Sequence, residues 1–159
     1  MSGEGAIVFL PGNGDGTFGT PVNAASGVNN APINVADLNG DGRLDLVMGG
    51  TALLGNGDGT FVISAQLGEG AQSTVGDFNA DGKPDIVQIE GAAGVSIFLG
   101  NGDGTFNPPM TFFAGNSSEF AAVGDFNGDG KPDLAVANWT YATDKYVPGI
   151  VAVLTNTGQ

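Results

Sequence analysis

The chain has 159 residues, 41% of them hydrophobic, and a net charge of -13 with four basic residues in all. That length buries an ordinary core as one domain, and so few cations exclude nucleic acid and anionic membrane surfaces, which both need clustered Lys and Arg. The chain has no Cys, so it has no disulfide or thiolate site; it has no His, which removes the commonest general base, the Ser/His/Asp arrangement and most transition-metal sites.

The first apolar run, AIVFL at 6–10, falls far short of the roughly 20 residues that cross a bilayer. No membrane insertion is expected. The N-terminus shows no charged region followed by a long apolar one, as expected of a chain without a secretory signal or of a mature or excised segment. Strands are predicted at about 5–10 and 18–25, on either side of GNGDGTF at 12–18. This heptapeptide returns at 55–61 and 100–106, with spacings of 43 and 45 residues.

A second motif alternates with it: DLNGDGRLD at 37–45, DFNADGKPD at 77–85 and DFNGDGKPD at 125–133, spaced by 40 and 48 residues. Between the motifs the apolar residues come in short β-rich runs, predicted as strands at 73–77, 85–90, 94–99 and 109–114 in one unit, and none is long enough for a helix. Four short strands per unit of forty-odd residues, joined by tight turns, is the pattern of a β-propeller blade. A nonapeptide solenoid would repeat its Gly and Asp motif every nine residues instead.

The runs VADLNGDGRLDLVMGG, VGDFNADGKPDIVQIE and VGDFNGDGKPDLAVAN, alternating with LLGNGDGTF or FLGNGDGTF, resemble FG-GAP/VCBS repeats. Such repeats form the calcium-binding blades of integrin α-subunit propellers and of many bacterial surface proteins and fungal lectins. The resemblance spans essentially the whole chain. It implies an all-β fold, a β-propeller of four-stranded antiparallel blades; counting strands gives about three blades per chain, so the ring is expected to be completed by oligomerisation. The expected divisions are a blade fragment at 1–30 and blades at 31–70, 71–116 and 117–159, the last completed by an N-terminal strand.

The chemistry of the nonapeptide points to calcium by itself. Side chains at positions 1, 3, 5 and 9 of a tight loop can converge on one point, and Gly at position 6 lets the position 7 carbonyl join them. The expected ligands are Asp37, Asn39, Asp41, the carbonyl of Arg43, and Asp45 in the first loop. In the second they are Asp77, Asn79, Asp81, the carbonyl of Lys83, and Asp85; in the third, Asp125, Asn127, Asp129, the carbonyl of Lys131, and Asp133. All are hard oxygen donors, so three Ca²⁺ sites per chain are expected. An EF-hand is excluded, since it needs Glu at position 12, where this chain has Met48, Gln88 and Val136. The side chains of Arg43, Lys83 and Lys131 are expected to point outward and partly offset the carboxylates.

GNGDGTF has the Asn-Gly and Asp-Gly pairs of a hairpin turn. Asp15, Asp58 and Asp103 are read as turn residues, and Phe18, Phe61 and Phe106 as contacts packing one blade on the next. One segment breaks the repeat: WTYATDKYVPG at 139–149 carries Trp139, Tyr141 and Tyr146, the only Trp and both Tyr of the chain. Flat rings with a polar edge suit sugar stacking and protein interfaces, though they also plug gaps beside a sheet. Two glycosylation patterns, NSS at Asn116 and NWT at Asn138, are close to the number, about one, that chance supplies.

The sequence therefore predicts no enzyme but a calcium-stabilised extracellular or cell-surface binding and adhesion module. The alternatives are a glycan-binding lectin working through 139–149 and an accessory domain of a secreted hydrolase. The expected partners are a protein or glycan ligand and a second copy of the chain, the two closing a six-bladed ring.

Overall fold

The computed structural model describes residues 5–28, 30–68, 70, 72–139 and 149–158, and among these there are thirteen strands and no helix. In chain order they are β1 (Gly5–Phe9), β2 (Val22–Val28), β3 (Ile33–Ala36), β4 (Asp45–Met48), β5 (Thr51–Gly55), β6 (Phe61–Gln66) and β7 (Gln72–Gly76). Then follow β8 (Asp85–Ile89), β9 (Val95–Phe98), β10 (Met110–Phe112), β11 (Ser118–Gly124), β12 (Asp133–Asn138) and β13 (Ile150–Leu154).

They form four antiparallel sheets, each a meander: β1-β2, β3-β4-β5-β6, β7-β8-β9-β10 and β11-β12-β13. The nonapeptide joins the first and second strands of a sheet, and GNGDGTF joins the third and fourth. By that rule β1 and β2 are third and fourth strands. The last sheet has its first three strands, so β1 and β13 hold the same place in their sheets. β2 starts at Val22 rather than at 18, because Pro21 has no N–H for the ladder and the chain before it is still closing the turn, with Gly19 N–H donating to Pro11 O at 2.7 Å.

Consecutive sheets pack face to face through three apolar clusters. Ile7, Ala24 and Val28 of the first sheet meet Leu46, Met48 and Leu53 of the second. Val47 and Ala52 of the second meet Ile86 and Phe98 of the third, with Leu38 beside them. Val87, Ile89 and Val95 of the third meet Leu134 and Val136 of the fourth. Alternation explains the pattern: Leu46 and Val47 are neighbours on one strand and so face opposite sheets. Central strands are covered on both faces, and β4 and β8 are buried along their whole length, their polar residues Asp45, Asp85 and Gln88 included.

Where the chain passes from the third sheet to the fourth, a buried amide clamps it. Asn138 Nδ2 donates to Ala114 O at 2.7 Å, and Asn138 Oδ1 accepts from Ser118 Oγ at 3.1 Å. Gly115 lies against that side chain at φ +124°. Burial and these bonds leave the Asn138 amide unavailable as a glycan acceptor in the folded chain, whereas Asn116 is exposed.

Candidate functional site

Each nonapeptide is a loop wound around its first Asp. In the first, Asp37 Oδ1 accepts the N–H of Gly40 at 2.8 Å and of Asp41 at 3.2 Å, while Oδ2 accepts that of Gly42 at 2.9 Å. Asn39 Oδ1 accepts the N–H of Asp41 at 3.1 Å, and Asp41 Oδ1 that of Arg43 at 2.8 Å. The third loop repeats every one of these bonds around Asp125, Asn127 and Asp129. The second does so around Asp77, Asn79 and Asp81 except at position 4, where Ala80 stands in place of Gly40 and Gly128. The backbone N–H donors beside Asp125 hold its carboxyl below the usual carboxylate range; Asp41 is lowered by the Arg43 N–H and the Asn39 amide.

The last Asp of each loop is the anchor. Asp45, Asp85 and Asp133 are fully buried. One oxygen of each accepts the N–H of the residue after the first Asp: Leu38 at 2.7 Å, Phe78 at 2.8 Å and Phe126 at 3.0 Å. The other accepts a N–H from the end of the third strand or just beyond: Gly55 at 2.8 Å, Gly100 at 2.8 Å and Asn156 at 2.7 Å. Burial raises the Asp85 carboxyl above its ordinary value despite these two bonds, and the charges of Asp81 and Asp77 add to the rise.

These contacts also show how the carboxylates are spent. Among the described residues no three of them are arranged as a ready-made metal cage; their oxygens face loop N–H groups. Oxygens that accept a single N–H, such as Oδ2 of Asp37, Asp77 and Asp125, keep a further lone pair, and every donor the loop contributes is a hard oxygen. The donor chemistry therefore fits a calcium ion. The Coulombic load that Asp77 and Asp81 place on Asp85 is the kind of strain a cation relieves.

The basic residues at position 7 do more than point outward. Arg43 lies 3.7 Å from Asp41 and Lys83 3.8 Å from Asp81, both well exposed, so solvent screens the pairs and they add little to stability. Their aliphatic stems cover Gly57 and Gly102, the second glycines of the neighbouring GNGDGTF turns. Lys131 donates to Thr157 O at 3.0 Å in the corresponding place. The two motifs thus lie side by side at one end of the second and third sheets.

GNGDGTF is a closed turn. Asp15, Asp58 and Asp103 each accept the Thr two residues on, from N–H at 2.9 Å and from Oγ1 at 2.6 Å. These bonds hold all three carboxyls below their ordinary value, the hydroxyl contributing most. Phe61 and Phe106 pack into the clusters against the preceding sheet. Phe18, expected to do likewise, is 66% exposed, because no described sheet precedes its own.

Family models for repeats of this type match at 1–48 and 77–136, described as an FG-GAP-like repeat, and at 119–154, described as an FG-GAP repeat. The chain belongs to the FG-GAP repeat family. FG-GAP repeats are propeller blades, so the four sheets are blades or parts of blades, and the chain is of the β-propeller binding-module type. Families of FG-GAP repeats are generally non-catalytic and typical of extracellular proteins. No curated protein matches the chain. No helix of the described residues is long and apolar enough to cross a membrane.

Of the aromatic segment, Trp139 is described, and Tyr141 and Tyr146 lie outside the described residues. Trp139 is 57% exposed, donates its backbone N–H to Ser117 O at 2.8 Å, and stands at a groove of about 380 Å³ walled by Phe113, Ala114, Ile150 and Leu154. The sequence located all three loops by their spacing. It missed the Gly55, Gly100 and Asn156 N–H groups as anchors of the last Asp; their signal was the fixed offset of GNGDGTF from each nonapeptide.

Proposed function

We propose that this FG-GAP chain is a calcium-stabilised binding and adhesion module that works outside the cell. The observation that supports it is the threefold recurrence of one loop with the same oxygen donors at positions 1, 3, 5, 7 and 9, wound the same way around its first Asp. Asp37, Asn39, Asp41, the Arg43 carbonyl and Asp45 would hold one ion, and the matching residues of the other two loops one each. The ion would supply charge neutralisation and pin the turn between a blade's first two strands. Recognition would then fall to loops on the propeller faces.

Without Glu at position 12, affinity is expected in the range of extracellular modules, with Kd roughly 10⁻⁴ to 10⁻³ M. At millimolar ion each site then adds roughly 0.4 to 1.4 kcal/mol of stability. Thermal unfolding in calcium against chelator tests this, and an unchanged Tm would refute it. Metal analysis of Asp129→Ala should find two ions where the parent chain has three.

The exposed indole of Trp139 beside an apolar groove supports a second reading, a lectin that stacks a sugar ring there. A glycan array separates the two. Trp139→Ala should abolish any glycan signal and leave Tm nearly unchanged, since more than half of the side chain is already exposed.

A further inference from the structure

Asn followed by Gly is the pair at which the backbone most readily attacks a side-chain amide, because Gly has no Cβ to hinder the approach. The chain has five such pairs: Asn13-Gly14, Asn56-Gly57 and Asn101-Gly102 in the heptapeptide turns, and Asn39-Gly40 and Asn127-Gly128 in the nonapeptide loops. The reaction needs the Gly nitrogen free. That nitrogen gives its proton to water and bonds to Cγ of the preceding Asn, and Nδ2 leaves as ammonia after taking up a proton from water. A further water then opens the cyclic imide at either carbonyl, leaving Asp or its β-linked isomer.

Hydrogen bonding divides the five pairs into two sets. In the loops, Asp37 Oδ1 holds the Gly40 N–H at 2.8 Å and Asp125 Oδ1 holds the Gly128 N–H at 2.7 Å. A nitrogen tied to a carboxylate cannot turn onto Cγ until that bond breaks. In the turns, the N–H of Gly14, Gly57 and Gly102 donates to no acceptor among the described residues, and the Asn beside each is exposed. We propose that Asn13, Asn56 and Asn101 are sites of spontaneous deamidation in the folded chain, and that Asp37 and Asp125 guard Asn39 and Asn127 against it. The product alters the turn. Asn56 Nδ2 donates to Thr60 Oγ1 at 2.9 Å, and that hydroxyl gives its one proton to Asp58 Oδ1 at 2.6 Å. A carboxylate at position 56 has no proton for Thr60 and brings a second negative charge to the same hydroxyl. Asn13 and Asn101 stand in identical chains of bonds.

Incubation of the whole chain with chelator at mildly alkaline pH, with its peptides mapped by mass spectrometry over time, tests the proposal. Each site's rate is divided by its own rate in urea, where all five pairs are unfolded alike. Having to break a hydrogen bond to a carboxylate first should slow Asn39 and Asn127 by roughly tenfold or more relative to the three turns. Asp37→Ala frees the Gly40 N–H and should raise Asn39 to the rate of Asn56. Asn127, in an untouched loop, should stay slow in that variant, which separates a freed nitrogen from general unfolding. The proposal is overturned by equal normalised rates at the five sites, by turns that stay unconverted in the folded chain, or by an Asn39 that stays slow in Asp37→Ala.

Discussion

The carboxylate of Asp45 accepts the backbone N–H of Gly55 at 2.8 Å, across ten residues of chain. With its other oxygen on Leu38 N–H at 2.7 Å, Asp45 ties the start of the nonapeptide loop to the end of the third strand. The site is fully buried. Asp45→Ala leaves both donors without a partner, at a cost of about 1–3 kcal/mol each. Unfolding in urea, with chelator present so that no ion contributes, should show a loss of about 2–5 kcal/mol; a loss below 1 would contradict the anchoring role.

Ala80 holds φ +57°, where the first and third loops have Gly40 at +74° and Gly128 at +78°. The left-handed conformation costs a residue with a Cβ about 1–2 kcal/mol, partly offset by the smaller unfolded-state entropy of Ala. Ala80→Gly should therefore stabilise the chain by about 0.5–1 kcal/mol, read as a rise in the urea midpoint at constant slope. Destabilisation would show that the loop does not need the left-handed turn.

Acid should unpick the GNGDGTF turns. The Asp15, Asp58 and Asp103 carboxyls lie below their ordinary value of 3.8 in the fold, chiefly through the Thr hydroxyl. A depressed folded pKa gives stability that is complete above 3.8 and is lost as pH falls through the folded value. Asp103→Asn should flatten that part of the stability profile below pH 3.8 and leave the slope above it unchanged. The reverse, a variant whose profile matches the parent throughout, would contradict the hydrogen-bonded turn.

Gly115 sits at φ +124° with its Cα against the side chain of Asn138. Any Cβ there meets the Asn138 amide, which is itself fixed by Ala114 O and Ser118. Gly115→Ala should cost about 2–4 kcal/mol, the sum of backbone strain and a broken buried hydrogen bond. Asn138→Ala should remove the clash and make the second substitution at Gly115 far milder, a non-additivity that a double-mutant cycle measures.

Much of this protein can be read without coordinates because its information is local and repeated. The nonapeptides set the hairpins: Gly at position 6 and Asp, Asn and Asp at positions 1, 3 and 5 admit one winding, and β7 to β10 fall within a few residues of the strands expected at 73–114. The period of forty-odd residues then fixes four strands to a blade, since each strand is too short to bury a face alone. What the sequence could not decide depends on neighbours. Phe18, Phe61 and Phe106 stand in identical heptapeptides, yet two are packed and one is exposed. Val35, Val75 and Val123 divide the same way. A repeat specifies the same face in every copy, and whether that face becomes core or surface is settled by which sheet lies next to it. The same holds for Asp45, Asp85 and Asp133, which read as ligands by spacing. Tertiary structure made them buried anchors as well, because only the folded hairpin brings the N–H groups of Gly55, Gly100 and Asn156 within reach.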